Sequence, residues 1–234
     1  MSPETGTLCG SEVLDNPVWS ALTGPHRTFA EFGPAGTAAR YTLDTSAFSA
    51  LADPLDPRAW ADLAALAGPG QEVWLTGLPT PPPGWRTLMT VAGVQLDGRA
   101  VRAGAEPEAV PLGRADVPEM LELVGLTRPG PFLDRTVELG TYLGIRHEGR
   151  LVAMAGERMR PAGWSEISAV CTHPDHRGRG LAGRLVRAVA AAARERGDSP
   201  FLHAAASNTG AIRLYEAMGF TLRRNPVFLG LRTP

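Results

Sequence analysis

The chemistry-bearing residues of this 234-residue chain concentrate between Glu157 and Tyr215. Arg177, Gly178, Arg179 and Gly180 follow an apolar run that stops at Pro174, and an amphipathic pattern starts at Leu181. Glycine lacks a Cβ and takes positive φ, so the backbone N–H groups of such a turn can approach an anion closely. The first N–H groups of a helix have no internal acceptor and carry the positive end of its dipole, and two arginines add forked, charged donors. Strand, loop and helix start together make a phosphate cradle. The glycines alone do not choose the phosphate. A P-loop would need Gly-Lys-Ser/Thr where this chain has Leu181 and Ala182, but Gly178, Gly180 and Gly183 do reproduce the dinucleotide spacing.

Other groups could join this cradle. Asn208 and Tyr215 are seven apart, two helical turns, so both can face one cleft. Glu157 and Glu166 fall on adjacent expected strands, and Glu166 alternates onto one face with Ser168, Val170 and Thr172, where a charge suggests a cleft. Pairing with an arginine such as Arg158 or Arg160, or plain exposure, explains either carboxylate equally well. His173 and His176 are three apart with no third ligand nearby in sequence, so a solvated loop role is expected and no metal site. Cys171 is expected as buried packing, and His203, alone among small apolar residues, as a satisfied core group.

Several elements must hold these groups. Residues 139–146 and 151–160 read as strands joined by a hairpin turn at Glu148 and Gly149, and residues 165–172 as a third strand. Residues 181–196 read as a helix with Leu181, Leu185, Val189 and Ala192 on one face and Gly197 past its end. Residues 200–206 read as a buried strand, Asn208 as the cap of a helix ending at Gly219, and residues from Thr221 onward as closing strands. Upstream, Asp116 to Glu119 reads as a capping box for a helix running to Val124, with Gly125 as its stop. The small, polar stretch 98–109 is the best linker. Before it come short strands within 28–43, a helix over 57–68 capped by Asp56 with Trp60, Leu63 and Ala67 inward, a strand at 72–76, a breaker run at 79–84, and a strand over 85–96 bent at Gly93. Residues 1–20 show little periodicity and are expected to be mobile until Val18 and Trp19.

Arg177-x-x-Gly180-x-Ala182, with Pro174 before it, resembles motif A of the GCN5-related N-acetyltransferases. Asn208, Ala211, Leu214, Tyr215, Gly219 and Phe220 match a second segment of that family at fixed spacing, and Thr172 replaces its usual valine. The resemblance covers residues 110 to the end and is closest to the FR47-like or glycine-N-acyltransferase-like branch. It implies an α/β (α+β) acyl-CoA N-acyltransferase fold: a central mixed, mostly antiparallel sheet flanked by helices. It implies acetyl-CoA as cofactor, with its pantetheine along Val170, Cys171 and Thr172. Its pyrophosphate would lie on Arg177, Gly178, Arg179, Gly180, Leu181 and Ala182, and Asn208 would also contact the cofactor. Tyr215 would protonate the departing thiolate, which suits a phenol. An amine must be neutral to attack, so a base is needed: Glu166 first, Glu157 second, or water. Residues 1–105 then read as an α/β lobe, either a degenerate repeat of the 106–234 acetyltransferase domain without its phosphate loop or an unrelated lid.

Net charge is −1 and the cations, all arginine, form no long block, so no nucleic-acid partner is expected. Cys9 and Cys171 give no disulfide framework. The start lacks a basic, apolar leader and no apolar run reaches membrane-spanning length, so a cytoplasmic, membrane-free location is expected. The expected partner is a small-molecule amine or amino-acid-like acceptor, in a monomer or homodimer. The competing readings are a non-catalytic acyl-CoA-binding module and a nucleotide-binding α/β protein.

Overall fold

In a computed structural model of the chain, the structure describes residues 10–77 and 80–234. Cys9 and Pro79 lie outside them, as do the first nine residues of the stretch expected to be mobile. Among the described residues, the order begins with helix α1 (Pro17–Thr23), strands β1 (Ala30–Phe32), β2 (Ala38–Tyr41) and β3 (Ser49–Leu51), helix α2 (Pro57–Ala67), and strands β4 (Glu72–Thr76) and β5 (Arg86–Asp97). It continues with β6 (Val110–Pro111), α3 (Val117–Thr127), β7 (Tyr142–His147), β8 (Arg150–Glu157), β9 (Trp164–Thr172), α4 (Leu181–Glu195), β10 (Ser199–Ala205), α5 (Thr209–Ala217), β11 (Thr221–Arg224) and β12 (Val227–Arg232).

Most elements form where local chemistry asks for them. Asp56 caps α2 by accepting from the Arg58 amide, Pro57 opens it, and Gly68 leaves it at φ 84°. Glu148 and Gly149 both take positive φ in the turn between β7 and β8. Three expectations are corrected. Residues 17–23, expected mobile up to Val18, form α1, whose Asn16 side chain accepts from the Trp19 amide and whose Val18, Ala21 and Leu22 are buried. Asp116 does not cap α3; its carboxylate accepts from the Gly113 amide and pairs with Arg146, which also pairs with Glu119. Gly125 does not stop α3, which runs to Thr127 and ends where Arg128 turns left-handed at φ 51°.

A nine-stranded sheet runs in the order β4-β12-β5-β10-β9-β8-β7-β6, with β11 beside β5. Among the described residues, only β9 and β10 pair parallel within it. Strands β1, β2 and β3 form a separate antiparallel meander that touches β4 through one parallel bridge, Phe48 to Trp74. The division at 105/106 therefore falls between strands of one sheet. The first half sends β5 to pair with β10 and β11, and the second half sends β12 between β4 and β5. The stretch 98–109 is not a free tether: Val101 is buried, and Glu106 pairs with Arg184 on α4 at 2.6 Å.

The second-half core lies under α4 and α5. Leu185, Val186, Val189 and Ala190 of α4 pack with Leu202, Ile167 and Val152 of the sheet and with Tyr215, Met218 and Phe220 beyond it. On the opposite face, Met120 and Leu123 of α3 pack with Tyr142, Met154, Ala169 and Cys171. Fully burying side chains of this size stabilises by about 1.5–3 kcal/mol each.

Candidate active site

Strands β9 and β10 stay paired only from Trp164–Ser199 to Ile167–Leu202. Beyond that point they run on separately, β9 to Thr172 and β10 to Ala205. The split has a local cause in β9. Gly156 of β8 pairs with Ser168 and Met154 with Cys171, so Ala169 and Val170 together face the single residue Ala155. This is a bulge, and Ala169 sits in it at φ 52°. A cleft of about 830 Å³ opens at the split.

At one end of this cleft stands the Arg-Gly loop. Gly178 and Gly180 take φ 77° and 73°, and Gly180 is the N-cap of α4. Arg184 is the first residue whose amide finds a helical acceptor, the Gly180 carbonyl at 3.1 Å. Among the described residues, the six amides from Gly178 to Gly183 have no acceptor. Arg177 and Arg179 are exposed and form no ion pair with any described residue, although the Arg177 Nε donates to the Thr172 carbonyl at 3.3 Å, which leaves its two terminal nitrogens for a ligand. Six free amides, a helix dipole and two guanidinium groups without a carboxylate partner suit a diphosphate. Gly183 has another role: a Cβ there would meet Leu214 and Met218 at 3.7 and 3.8 Å, which places it against α5.

The same cleft gathers Val170, Cys171, Thr172, Arg177, Ala182, Asn208 and Tyr215 from the expected set. Gly178, Arg179 and Gly180 lie on the loop beside it, and the Leu181 side chain is buried in the core, which leaves only its amide for a ligand. The Asn208 Oδ1 caps α5 by accepting from the Ala211 amide at 3.2 Å. The Thr172 hydroxyl is buried with no partner among the described residues, a polar atom left for a ligand. Tyr215 is largely buried, its hydroxyl has no described partner, and burial pushes its pKa up to about 12. Burial likewise pushes the Cys171 thiol up to about 11, so this cysteine is inert packing against α3.

The two carboxylates are placed differently from what a base requires. Glu166 is fully buried and does not line the cleft. It accepts from Arg158 Nε at 2.9 Å, from Arg158 Nη2 at 2.6 Å and from His203 Nδ1 at 2.7 Å. Burial opposes its ionisation, but the Arg158 charge and the two hydrogen-bonding partners outweigh that and hold its pKa at about 2. Glu157 is also fully buried and off the cleft, held by the Thr141 amide, the Ser165 hydroxyl and Arg196. Both carboxylates act as anchors, and pairing with arginine is the alternative that the sequence had left open for them. His203 is satisfied on both nitrogens, since its Nε2 lies 3.0 Å from Gln95 Nε2. It also lines the cleft, as does Arg158.

At the loop's outer edge, the structure brings His147, the last residue of β7, against His176, ring centroids 5.0 Å apart, with His173 next to it. No group of His, Cys, Asp and Glu among the described residues is arranged to hold a metal. Sequence reasoning missed the far wall of the cleft: Phe48, Trp74, Val91 and Phe228, supplied by the first half and by β12. Their hydrophobicity signalled only burial. The bulge at Ala169 left no sequence signal at all, since alanine rarely takes positive φ.

The FR47-like protein family model matches residues 142–229. Among solved structures, a GNAT-family protein from Novosphingobium aromaticivorans DSM 12444, described as an acetyltransferase, is 42% identical. The match covers 94% of this chain and 98% of that one, with a TM-score of 0.85. A GCN5-related N-acetyltransferase from Kribbella flavida shares the fold at 18% identity and TM-score 0.63, covering 90% and 93%. No curated protein matches.

Proposed function

The chain belongs to the GNAT acetyltransferase family, and from that premise we propose that it is an acetyl-CoA-dependent N-acetyltransferase acting on a small primary amine by direct attack on the thioester. The observation that carries this reading is the cleft: free amides and unpaired arginines at one end, and an unpartnered tyrosine hydroxyl on its wall. Acetyl-CoA supplies a thioester whose carbonyl carbon is the electrophile. The amides of Gly178 to Gly183, with Arg177 and Arg179, bind the diphosphate. The polar atoms of β9 beyond the split, with Thr172 Oγ1 and the Asn208 Nδ2, which has no partner among the described residues, hold the pantetheine arm. The bulge at Ala169 and Val170 breaks the β8 ladder, and a backbone donor released there would suit the oxygen on which charge develops.

Tyr215 Oη gives its proton to the thiolate as it departs. A phenol held at about 12 stays protonated at neutral pH, and because it is a weaker acid than an ordinary thiol, about 8.5, the proton it gives up is replaced through water by the one the amine loses, which carries the transfer forward. The amine's proton leaves through water in the cleft, because a carboxylate held at about 2 is far too weak a base at neutral pH. The dinucleotide reading loses its acidic residue: the stretch of β10 that lines the cleft carries His203, Ala204 and Ala205 where a ribose-binding carboxylate is needed. The test is thiol release from acetyl-CoA across a panel of amines. Amine-dependent release supports the reading, and release that no amine stimulates refutes it.

A further inference from the structure

One buried cation in the cleft is not used by the reaction described above. Arg158 follows β8 directly and is 8% exposed, yet it lines the cleft. Its Nε and Nη2 each donate to Glu166, and its guanidinium lies 4.9 Å over the Phe48 ring. The remaining N–H bonds, including both on Nη1, have no partner among the described residues. Since Arg158 lines the cleft and is not completely buried, its unpaired edge is the part of the guanidinium available to a ligand there. A guanidinium that served only to neutralise Glu166 would have no reason to present a free edge to a cavity, given what desolvating it costs.

The surroundings hold this edge in place. Glu166 is fixed from its other side by His203 Nδ1, His203 by Gln95, and Gln95 by the Leu14 carbonyl at 2.9 Å and by Arg223 at 2.8 Å. Beside Arg158 the wall is aromatic: Phe48 and Phe228 have centroids 6.2 Å apart, Phe228 packs edge-on to His203 at 5.5 Å, and Trp74 adds to the lining. A fixed fork at the edge of an aromatic box matches a carboxylate attached next to an apolar side chain.

We propose that Arg158 is the carboxylate receptor of the acceptor site, and that the acceptor is an α-amino carboxylate with a large apolar side chain seated against Phe48, Trp74 and Phe228. This rests on the acyltransferase reading for the identity of the site. The pairing of Arg158 with Glu166 holds the charge in place before the ligand arrives, so Glu166 and His203 are positioning residues.

The test compares N-acetyl-L-phenylalanine with N-acetyl-2-phenylethylamine, which differ only by the carboxylate, in calorimetric titrations of the full chain saturated with CoA. The acid is expected to bind at least about tenfold more tightly, the factor that 1.4 kcal/mol represents. In the double variant Arg158→Gln/Glu166→Gln, which leaves no orphan charge behind, that preference is expected to vanish. Equal binding by the wild type, binding of neither compound, or a preference that survives in the folded double variant would overturn the proposal. Should the double variant not fold, the wild-type comparison decides alone. A kinetic arm separates the two readings. If 2-phenylethylamine is acetylated as fast as L-phenylalanine, the receptor is refuted while acyl transfer stands. If succinyl-CoA with 2-phenylethylamine outruns acetyl-CoA with L-phenylalanine, the carboxylate belongs to the acyl group and the acceptor assignment is refuted. If no CoA is released from any pair, the acyltransferase reading fails and the titrations still decide the role of Arg158.

Discussion

Tyr215 combines a buried ring with a hydroxyl that has no described partner. Tyr215→Phe keeps the packing against Phe220 and removes only the proton donor. Its kcat is expected to fall by about a hundredfold with the KM for acetyl-CoA little changed, as steady-state kinetics would show. Because the phenol is pushed up to about 12, kcat should not fall with tyrosine ionisation below about pH 10; a falling limb there would count against Tyr215 as the acid. Glu166→Gln should destabilise the protein by about 3 kcal/mol in urea titration, because it strands the buried Arg158. The same pair makes stability depend on acid. The folded pKa of Glu166, about 2, lies below its unfolded value, so the contribution is complete above about pH 5 and is lost as pH falls towards 2. At this scale Asn208 and Tyr215 were legible because helical spacing alone puts them on one side. The position of Glu166 was legible as a charge among apolar residues, and Arg158 stood among its possible partners, but His203 did not. Hydrogen bonds from His203, 37 residues later, depend on strand pairing that no local pattern encodes.

The phosphate cradle is a property of the junction between β9 and α4, and each part of it can be tested separately. Arg177→Ala and Arg179→Ala should each weaken CoA binding roughly five- to tenfold and flatten its salt dependence, measured calorimetrically at two ionic strengths. Gly180→Ala meets no atom within 4 Å but must hold φ 73°, so it should cost about 1 kcal/mol of stability and weaken CoA binding as the loop rearranges. This junction was readable because glycine, arginine and helix periodicity each leave a sequence mark. The bulge in β9 and the short helix α1 were not. The bulge depends on an alanine in a conformation that its type does not favour, and α1, at seven residues, is too short for its period to show. The far end of α3 was misread for a related reason. Gly125 has open space around it and is tolerated inside the helix, while Arg128 makes the left-handed turn that ends it.

On the scale of the whole molecule, each half lays a three-stranded antiparallel meander, then a helix, then a strand beside the meander's last member in parallel: β1-β2-β3, α2, β4 in one, and β7-β8-β9, α4, β10 in the other. We propose that the first half is a degenerate repeat of the second. Where the second has Arg177 and Arg179 before its helix, the first has Asp53 and Asp56, which repel phosphate. The halves exchange strands, β5 going to β10 and β12 to β4. The helix-strand-strand order from α2 to β5 was visible in the sequence, but β3 was not, and neither was the exchange, because pairing between residues more than a hundred positions apart leaves no periodic trace. A fragment of residues 106–234 lacks β5 and should show no cooperative thermal transition, whereas the full chain should unfold in one. The exchange also builds the aromatic wall opposite the cradle, so one cleft needs both halves. The most direct test is mass-spectrometric detection of an acetylated amine, together with equimolar free CoA, after the full chain is mixed with acetyl-CoA and an acceptor panel. Amine-dependent product that falls about a hundredfold in Tyr215→Phe is the expected result; tight binding of CoA with no acetylated product from any amine would contradict it.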